Sequence, residues 1–237
     1  MLVVFVAYKI PPARLAEHFA WNDAGYRATG AGVLVVVDAE TFRALNCLPS
    51  YAAAVEYAVE LQPFSLAKTA NFGLRRACAA GGVAVKTDVD CYFAPELLAA
   101  MALAEPGFGV APPYHMAESI TNALAGRARL WHASRGTIAL AAEDWQALCG
   151  YNENMAGYGI EDGDLYDRAL AAGITFSRAP GLWHIAHAPG TPPPPGFRAE
   201  GWNRAGLNPP NHAANRLLRG QPWATQNWGC PPLPLTP

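Results

Sequence analysis

Three strand-like apolar runs, separated by segments with helical periodicity, constrain the fold more than any other feature of this sequence. They extend from Leu2 to Ala7, from Val33 to Val37 and from Val83 to Thr87. Strands that are apolar on both faces are typical of parallel sheets covered by helices on both sides. Regular alternation of strand and helix therefore predicts a doubly wound α/β sheet. Such sheets bind ligands outside the carboxyl ends of their strands, so chemistry is expected where the runs end.

The remaining elements are less regular in the second half of the chain. Short strands are expected at 107–110, 136–140 and 174–177, judged by apolar runs bounded by turn residues. No linker or internal repeat separates two domains, so a single domain is predicted. The expected helices cover 13–27, 50–61, 66–80, 95–104, 142–148 and 161–171.

Composition excludes several classes of protein. Hydrophobic residues make up 51% and charged residues 15% of the 237 residues, which is a globular and not a disordered composition. A net charge of -2 and only three lysines argue against a nucleic-acid partner. Five scattered cysteines without a Cys-x-x-Cys pair favour a reducing compartment. No apolar run reaches the roughly 20 residues of a transmembrane helix, and no signal peptide is evident, so a cytoplasmic location is expected.

An acidic tripeptide, Asp88-Val89-Asp90, ends the third apolar run. Side chains two residues apart in a strand lie on the same face, and two carboxylates there repel each other unless a cation or a proton lies between them. One interpretation is a hard-metal site that also holds phosphate oxygens. The alternative is a pair of solvated turn aspartates, since aspartate is common where strands end. The tripeptide by itself favours this second interpretation.

A second acidic cluster, Glu161-Asp162-Gly163-Asp164, follows Gly157-Tyr158-Gly159. Acidic residues in the first turn of a helix are stabilised by the helix dipole, which explains the acidity alone. Glycines additionally allow the backbone to approach a ligand, and an aromatic ring can stack on the apolar face of a sugar. A neighbouring carboxylate could then remove a proton from a sugar hydroxyl.

Two further pairs of polar residues are candidates for ligand binding. His184 and His187 lie on opposite faces of a strand or on one face of a helix, and at least one of them is expected to be structural. A neutral imidazole could complete a carboxylate site for Mn²⁺. Lys68 and Asn71 are one helical turn apart, and their shared face could meet a phosphate or a base, or be a polar surface stripe.

The order of these motifs resembles that of the GT-A fold glycosyltransferases, which use nucleotide sugars. Five of the eight aspartates lie at the predicted strand ends and in the second acidic cluster, more than solubility alone would require. The shared order is Asn-x-Gly, Asp-x-Asp, Gly-aromatic-Gly-x-Glu-Asp-x-Asp and a late histidine, as in family 2 and galactosyltransferase-like enzymes. The resemblance covers roughly residues 1–190.

The resemblance implies a GT-A fold, a Rossmann-like α/β architecture with a mostly parallel sheet flanked by helices and an irregular C-terminal part. The single domain, 1–237, would have a nucleotide-binding half at about 1–105 and an acceptor-binding half at about 106–190. Residues 191–237 would form a loop and a C-terminal tail.

The resemblance also implies roles on the donor side. Asp38 would contact the uridine or the ribose. Lys68 and Asn71 would meet the phosphate or the base, with Lys68 as the basic contact because the family's Arg-Asn dipeptide is Ala-Asn here. Asp88 would lie near the ribose and the metal, and Asp90 would be the direct metal ligand.

The remaining implied roles concern the metal and the acceptor. His187 would be the late metal ligand, with His184 as an alternative or additional one. Tyr158, where the family usually has tryptophan, would line the donor and acceptor sugars. Glu161 would bind acceptor hydroxyls, and Asp162 would be the general base.

The implied activity is that of a metal-dependent inverting hexosyltransferase, with Mn²⁺ or Mg²⁺ bridging the diphosphate. It would move a sugar from a UDP-sugar donor to a hydroxyl of a glycan or another acceptor. A sugar nucleotidyltransferase is an alternative, but the segment from Tyr8 to Pro12 is not the Gly-rich basic loop that such chemistry needs. A non-catalytic nucleotide-sugar or carbohydrate-binding module is another, although it would not need Asp162 beside a metal motif.

Overall fold

A computed structural model describes residues 1–7, 10–45, 55–59, 65–131, 136–155 and 159–185. Within these ranges the strands are β1 (Leu2–Ala7), β2 (Gly32–Val37), β3 (Val55–Val59), β4 (Val83–Asp88), β5 (Cys91–Phe93), β6 (Phe108–Val110), β7 (Tyr114–Ala117), β8 (Arg129–Trp131), β9 (Ile138–Ala141), β10 (Thr175–Ser177) and β11 (Leu182–Ile185). The helices are α1 (Pro12–Thr29), α2 (Ala39–Leu45), α3 (Leu66–Ala79), α4 (Pro95–Met101), α5 (Ile120–Leu124), α6 (Ala142–Ala147) and α7 (Glu161–Ala171).

The main sheet has seven strands in the order β10-β6-β9-β4-β1-β2-β3. Strands β4, β1, β2 and β3 are parallel neighbours, and β10 is parallel to β6. Strand β9 runs antiparallel to both β4 and β6. The sheet is thus mostly parallel with one reversed strand, and the predicted fold class is confirmed. The carboxyl ends of β2 and β4 lie on the same edge, where Asp38 and Asp88 are found.

The central strands are buried on both faces because helices cover both sides of the sheet. Val3 and Phe5 of β1 belong to a core shared with Leu15 and Phe19 of α1. The alternate residue Val4 belongs to a second core, which α3 and α6 complete on the other side. This two-sided burial is the physical reason that the strands read as apolar runs and not as alternating patterns.

A second, smaller sheet joins the first at the acidic tripeptide. Its order is β5-β11-β7-β8, with β11 antiparallel to β5 and parallel to β7. Strand β5 begins directly after the turn that contains Asp90, so one short segment links both sheets. The sequence did not predict this small sheet, because its strands have only three or four residues each.

The predicted helix over 50–61 is wrong for residues 55–59, which form β3 beside β2. The alanine-rich stretch before it favoured a helix, but Val55, Tyr57 and Val59 recur with the strand period of two. The helix over 161–171 has the predicted bounds, and the predicted helix over 95–104 ends earlier, at Met101. The predicted tail, 191–237, lies outside the described residues. In the part of the chain that the structure describes, no helix combines the length and the apolarity needed to cross a bilayer.

Candidate active site

The Asp-x-Asp turn lies at the junction of the two sheets. Strand β4 ends at Asp88, and the backbone oxygen of Asp90 accepts a hydrogen bond from the Ile185 amide at 3.0 Å. Ligand atoms of Asp88, Asp90 and Cys91 all lie within 4.8 Å of one another. Burial raises the pKa of the Cys91 thiol well above its ordinary value. Because hard cations prefer oxygen ligands, the two carboxylates are the groups suited to such an ion.

His184 is brought to this turn by strand β11. It pairs with Cys91 across the strands, and its Nε2 lies 3.3 Å from Oδ1 of Asp90. The ring of Tyr114 stacks on the imidazole at a centroid distance of 5.1 Å. Two carboxylates and an imidazole form a donor set that suits Mn²⁺. The other candidate ligand, His187, lies outside the described residues.

Asp162 lies in the first turn of α7 and reaches the same site. Its Oδ1 accepts hydrogen bonds from the Tyr151 hydroxyl at 3.1 Å and from the Lys86 ammonium at 3.3 Å. Ile160, just before the helix, has a φ of 79°, which β-branched residues rarely adopt. Such strain is typical of segments held for function. Tyr158, the predicted sugar-stacking residue, lies outside the described residues.

Lys86 joins the two acidic motifs from inside strand β4. Its side chain has an exposed fraction of 0% and donates to Oδ1 of Asp88 at 3.0 Å as well as to Asp162. The third acceptor is the backbone oxygen of Gly136 at 3.1 Å. Burial alone would lower the pKa of Lys86, but the carboxylates of Asp162 and Asp88 raise it well above its ordinary value. The ammonium is therefore charged and fully hydrogen-bonded.

Glu161 lies beside Asp162 but in a different environment. Its exposed fraction is 2%, and burial, followed by the charge of Asp162, raises the pKa of the carboxyl from 4.5 to about 8. At neutral pH Glu161 is therefore mainly protonated and able to donate a hydrogen bond. Adjacent carboxyls with different environments are a common basis for separate roles in a site.

The three predicted donor-binding residues outside the acidic motifs are placed differently. Asp38 caps α2, since its Oδ1 accepts hydrogen bonds from the amides of Glu40 and Thr41, both at 3.0 Å. Asn71 is buried, and its amide makes two hydrogen bonds with the backbone of Tyr151, at 2.8 and 2.9 Å. Lys68 is exposed on α3. Their contacts with a nucleotide remain predictions.

Buried polar side chains of α1 form hydrogen bonds with the backbone in and next to the Asp-x-Asp turn. His18 contacts the backbone oxygen of Val89 through Nδ1 and the hydroxyl of Tyr26 through Nε2, both at 2.8 Å. Burial lowers the pKa of His18 to about 4, so the ring is neutral and donates from Nδ1 to the carbonyl. Asn22 donates to the oxygen of Cys91 at 3.1 Å and accepts from the Phe93 amide at 3.0 Å.

Sequence reasoning missed four residues of this site: Lys86, Tyr151, His18 and Asn22. Lys86 could have been found from the sequence. A lysine inside an otherwise apolar buried strand is costly unless it is paired, so its position indicates a charged partner. The helical pattern of α1 also placed His18 on its apolar face. For Tyr151, which follows a helix in an irregular segment, the sequence carries no comparable signal.

Comparison with known proteins identifies the fold. A family model described as the N-terminal domain of galactosyltransferase matches residues 120–189. No curated protein matches the chain significantly by sequence.

Among solved structures, the mannosyltransferase PcManGT from Pyrobaculum calidifontis, in complex with GDP-Man and Mn²⁺, is 18% identical with a TM-score of 0.56. This match covers 80% of this chain and 57% of that one. A mutant of Drosophila β1,4-galactosyltransferase 7, with manganese, UDP-Gal and xylobiose, is 15% identical with a TM-score of 0.54, covering 78% and 71%. GalNAc-T7 with UDP, GalNAc and Mn²⁺ is 13% identical with a TM-score of 0.60, covering 80% and 44%.

The fold is therefore that of the GT-A glycosyltransferases, and the resemblance of the motifs to this class is confirmed. The identities are low, so the structural likeness defines the fold, and the family model adds a galactosyltransferase-type match over part of the second half. The chain spans between 44% and 71% of the length of the three matched structures.

Proposed function

We propose that this chain is a metal-dependent inverting glycosyltransferase that moves a hexose from a nucleotide diphosphate sugar to a hydroxyl acceptor. One observation carries the proposal: the candidate metal motif and the candidate base converge on one ammonium group. Lys86 Nζ bonds both Asp88 and Asp162, although 76 residues separate Lys86 from Asp162 in the sequence. The GT-A fold and the match to the galactosyltransferase family model support the same class of reaction.

Asp88, Asp90 and His184 would hold the divalent cation, with Mn²⁺ preferred over Mg²⁺ because of the imidazole. The three structures described above contain manganese, which supports this choice. When bound, the cation would stabilise the negative charge that develops on the diphosphate leaving group. Hard divalent cations prefer carboxylate oxygens to a thiol, so we assign Cys91 no ligand role.

Asp162 would act as the general base. Both of its described hydrogen bonds end on Oδ1, so Oδ2 is the oxygen proposed to receive a proton. The acceptor hydroxyl would lose its proton to Asp162 as its oxygen bonds to the anomeric carbon. The bond from that carbon to the diphosphate would break on the opposite face, and its electron pair would leave with the diphosphate. Glu161, protonated at neutral pH, would donate a hydrogen bond to another acceptor oxygen.

A UDP-sugar is the proposed donor, as the resemblance to the GT-A enzymes implies, and a GDP-sugar is the direct competitor. The matched structures contain UDP-Gal in one case and GDP-Man in another. Asp38, the residue predicted to contact uridine or ribose, is engaged as a helix cap. Donor choice is therefore to be measured with both nucleotides.

The proposal is tested by following UDP release from UDP-hexoses and GDP release from GDP-Man, with water and a panel of mono- and disaccharides as acceptors. The variants are Asp90→Ala and Asp162→Asn, with Asp23→Asn on the surface of α1 as the matched control. We expect turnover to require Mn²⁺ and to fall by about 100-fold or more in both site variants, with the control unchanged.

Asp162→Asn should keep Mn²⁺-dependent nucleotide binding, since the metal motif is intact. Wild-type turnover in both site variants would show that the roles are misassigned. Metal-dependent binding of UDP with no turnover on any acceptor would instead favour the nucleotide-sugar-binding module.

A further inference from the structure

Lys86 is a charged side chain buried inside a strand of the main sheet, which apolar packing does not explain. It lies at an inward position of β4, next to the apolar residues Val85 and Ala84, and its side chain is completely buried. Removing an ammonium group from water is costly. A methionine would fill a similar volume at no such cost, and buried ion pairs are often replaceable by apolar residues without loss of stability. A lysine here therefore indicates a task for its charge.

The geometry of the ammonium defines that task. A lysine has three N–H donors, and they are matched by Asp88 Oδ1, Asp162 Oδ1 and the Gly136 oxygen. Two of the acceptors are carboxylates from motifs on different elements, β4 and α7. The two like charges would repel each other, so the shared cation sets how far apart they lie.

Tyr151 is the second hydrogen-bond donor that holds the Asp162 carboxylate. Its hydroxyl donates to the same Oδ1 at 3.1 Å, and its buried ring lies 5.7 Å from the Lys86 ammonium. Two donors on one oxygen fix the carboxylate plane and leave Oδ2 directed elsewhere. Asn71 in turn holds the Tyr151 backbone with two hydrogen bonds, so this support is itself anchored in α3.

We propose that Lys86 is a positioning residue that ties the base Asp162 to the metal-motif carboxylate Asp88, with Tyr151 as the second support. This assignment rests on the proposed function. If Lys86 has this role, its charge affects Mn²⁺ affinity and the rate of sugar transfer in opposite directions. The positive charge beside Asp88 weakens binding of a divalent cation, because like charges repel. The same charge holds the base in its productive place, which raises the rate of transfer.

The test compares Lys86→Met and Tyr151→Phe with the wild type and with Arg27→Met, which removes an exposed cation from α1. Mn²⁺ binding is measured by calorimetry on the metal-free protein without donor, and kcat and KM for the donor are measured separately. For Lys86→Met we expect Mn²⁺ to bind about 10-fold more tightly while kcat falls about 100-fold with little change in donor KM.

Tyr151→Phe does not touch Asp88, so its Mn²⁺ affinity should be unchanged while kcat falls by about 10-fold. This variant keeps the ring and its packing, so it tests the assignment even if Lys86→Met fails to fold. Each substitution is also made in an Asp162→Asn background. Because a positioning residue acts through the base, neither should lower the residual turnover of that background further.

Weaker Mn²⁺ binding by a Lys86→Met variant that folds would overturn the assignment. Additive losses in the Asp162→Asn background would mean that the substituted residue does not act through the base, and they would overturn it as well. If the wild type turns over no donor, the proposed function fails, and the Mn²⁺ measurement decides the rest. Tighter Mn²⁺ binding by Lys86→Met would then still support the interaction of Lys86 with Asp88. Unchanged or weaker Mn²⁺ binding would contradict that interaction.

Discussion

The two adjacent acidic residues at the start of α7 have different surroundings. Asp162 accepts hydrogen bonds from the Lys86 ammonium and the Tyr151 hydroxyl. Glu161, one residue away, is buried, and its pKa is raised to about 8. The chain thus places an acid that accepts two hydrogen bonds beside a mainly protonated one, which suits the first to accept a proton and the second to donate a hydrogen bond.

The raised pKa of Glu161 predicts how stability depends on pH. Between the unfolded value of 4.5 and the folded value of about 8, the folded protein binds the extra proton, so stability falls as pH rises. The slope from this one group is at most about 1.4 kcal/mol per pH unit. We expect Glu161→Gln to lose this slope and to be more stable than the wild type at pH 8.

Urea denaturation at pH 5, 6, 7 and 8 measures this slope. Glu105→Gln, an exposed glutamate beyond α4, is the matched control and should keep the slope of the wild type. Parallel curves for the wild type and Glu161→Gln would contradict the burial-driven pKa.

At the scale of elements, α1 acts as a support for the Asp-x-Asp turn. Its buried polar side chains bond the backbone of three residues, Val89, Cys91 and Phe93, and so hold the turn in place. A polar residue in an apolar helix face is costly unless its partners are satisfied, and here the partners are backbone groups that would otherwise be buried without a bond. The helix thus contributes to the site by supporting the turn that carries the two aspartates.

Asn22→Ala is expected to destabilise the protein by about 2 to 3 kcal/mol, because it leaves the Phe93 amide and the Cys91 carbonyl buried without this partner. Mn²⁺ affinity should fall as well, since the turn loses part of its support. Chemical denaturation and calorimetry measure the two effects. Asp23→Ala, on the same helix, loses an exposed ion pair with Arg27 and should cost at most about 0.5 kcal/mol. Equal losses in the two variants would argue against the support.

At the scale of the whole molecule, the two sheets meet at the turn that would hold the cation. Strands β4 and β5 enter and leave this turn, and β11 returns from the far end of the described chain to place His184 beside it. A ligand that bridges these elements would stabilise the entire fold, because it binds the native arrangement and not the unfolded chain.

UDP with Mn²⁺ is therefore expected to raise the melting temperature. At about 100 times the dissociation constant the gain is about 2.7 kcal/mol, which corresponds to about 5 to 10 °C for a domain of this size. Thermal shift assays with UDP and GDP, each with Mn²⁺ or with EDTA, also rank the two bases. No shift is expected with EDTA or in Asp90→Ala, and an equal shift in Asp90→Ala would exclude that residue as a ligand.

Much of the fold could be predicted from the sequence because it depends on local patterns. The apolar runs located β1, β2 and β4, and the acidic first turn located α7 with its observed bounds. Strand β3 was mistaken for a helix, since five residues beside an alanine-rich stretch carry too little periodicity to decide. The three- and four-residue strands of the second sheet were not predicted for the same reason. Pairing with neighbouring strands, and not their own sequence, makes these segments strands.

The sequence by itself determined which residues could do the chemistry, since carboxylates at strand ends and at the start of a helix are visible as motifs. Only the tertiary structure decided which of them meet. It brought His184 to Asp90 through pairing of β11 with β5, and it joined Asp88 to Asp162 through Lys86. The physical reason is that sequence periodicity reports the faces of single elements, whereas a shared ammonium depends on how elements far apart in the chain pack together.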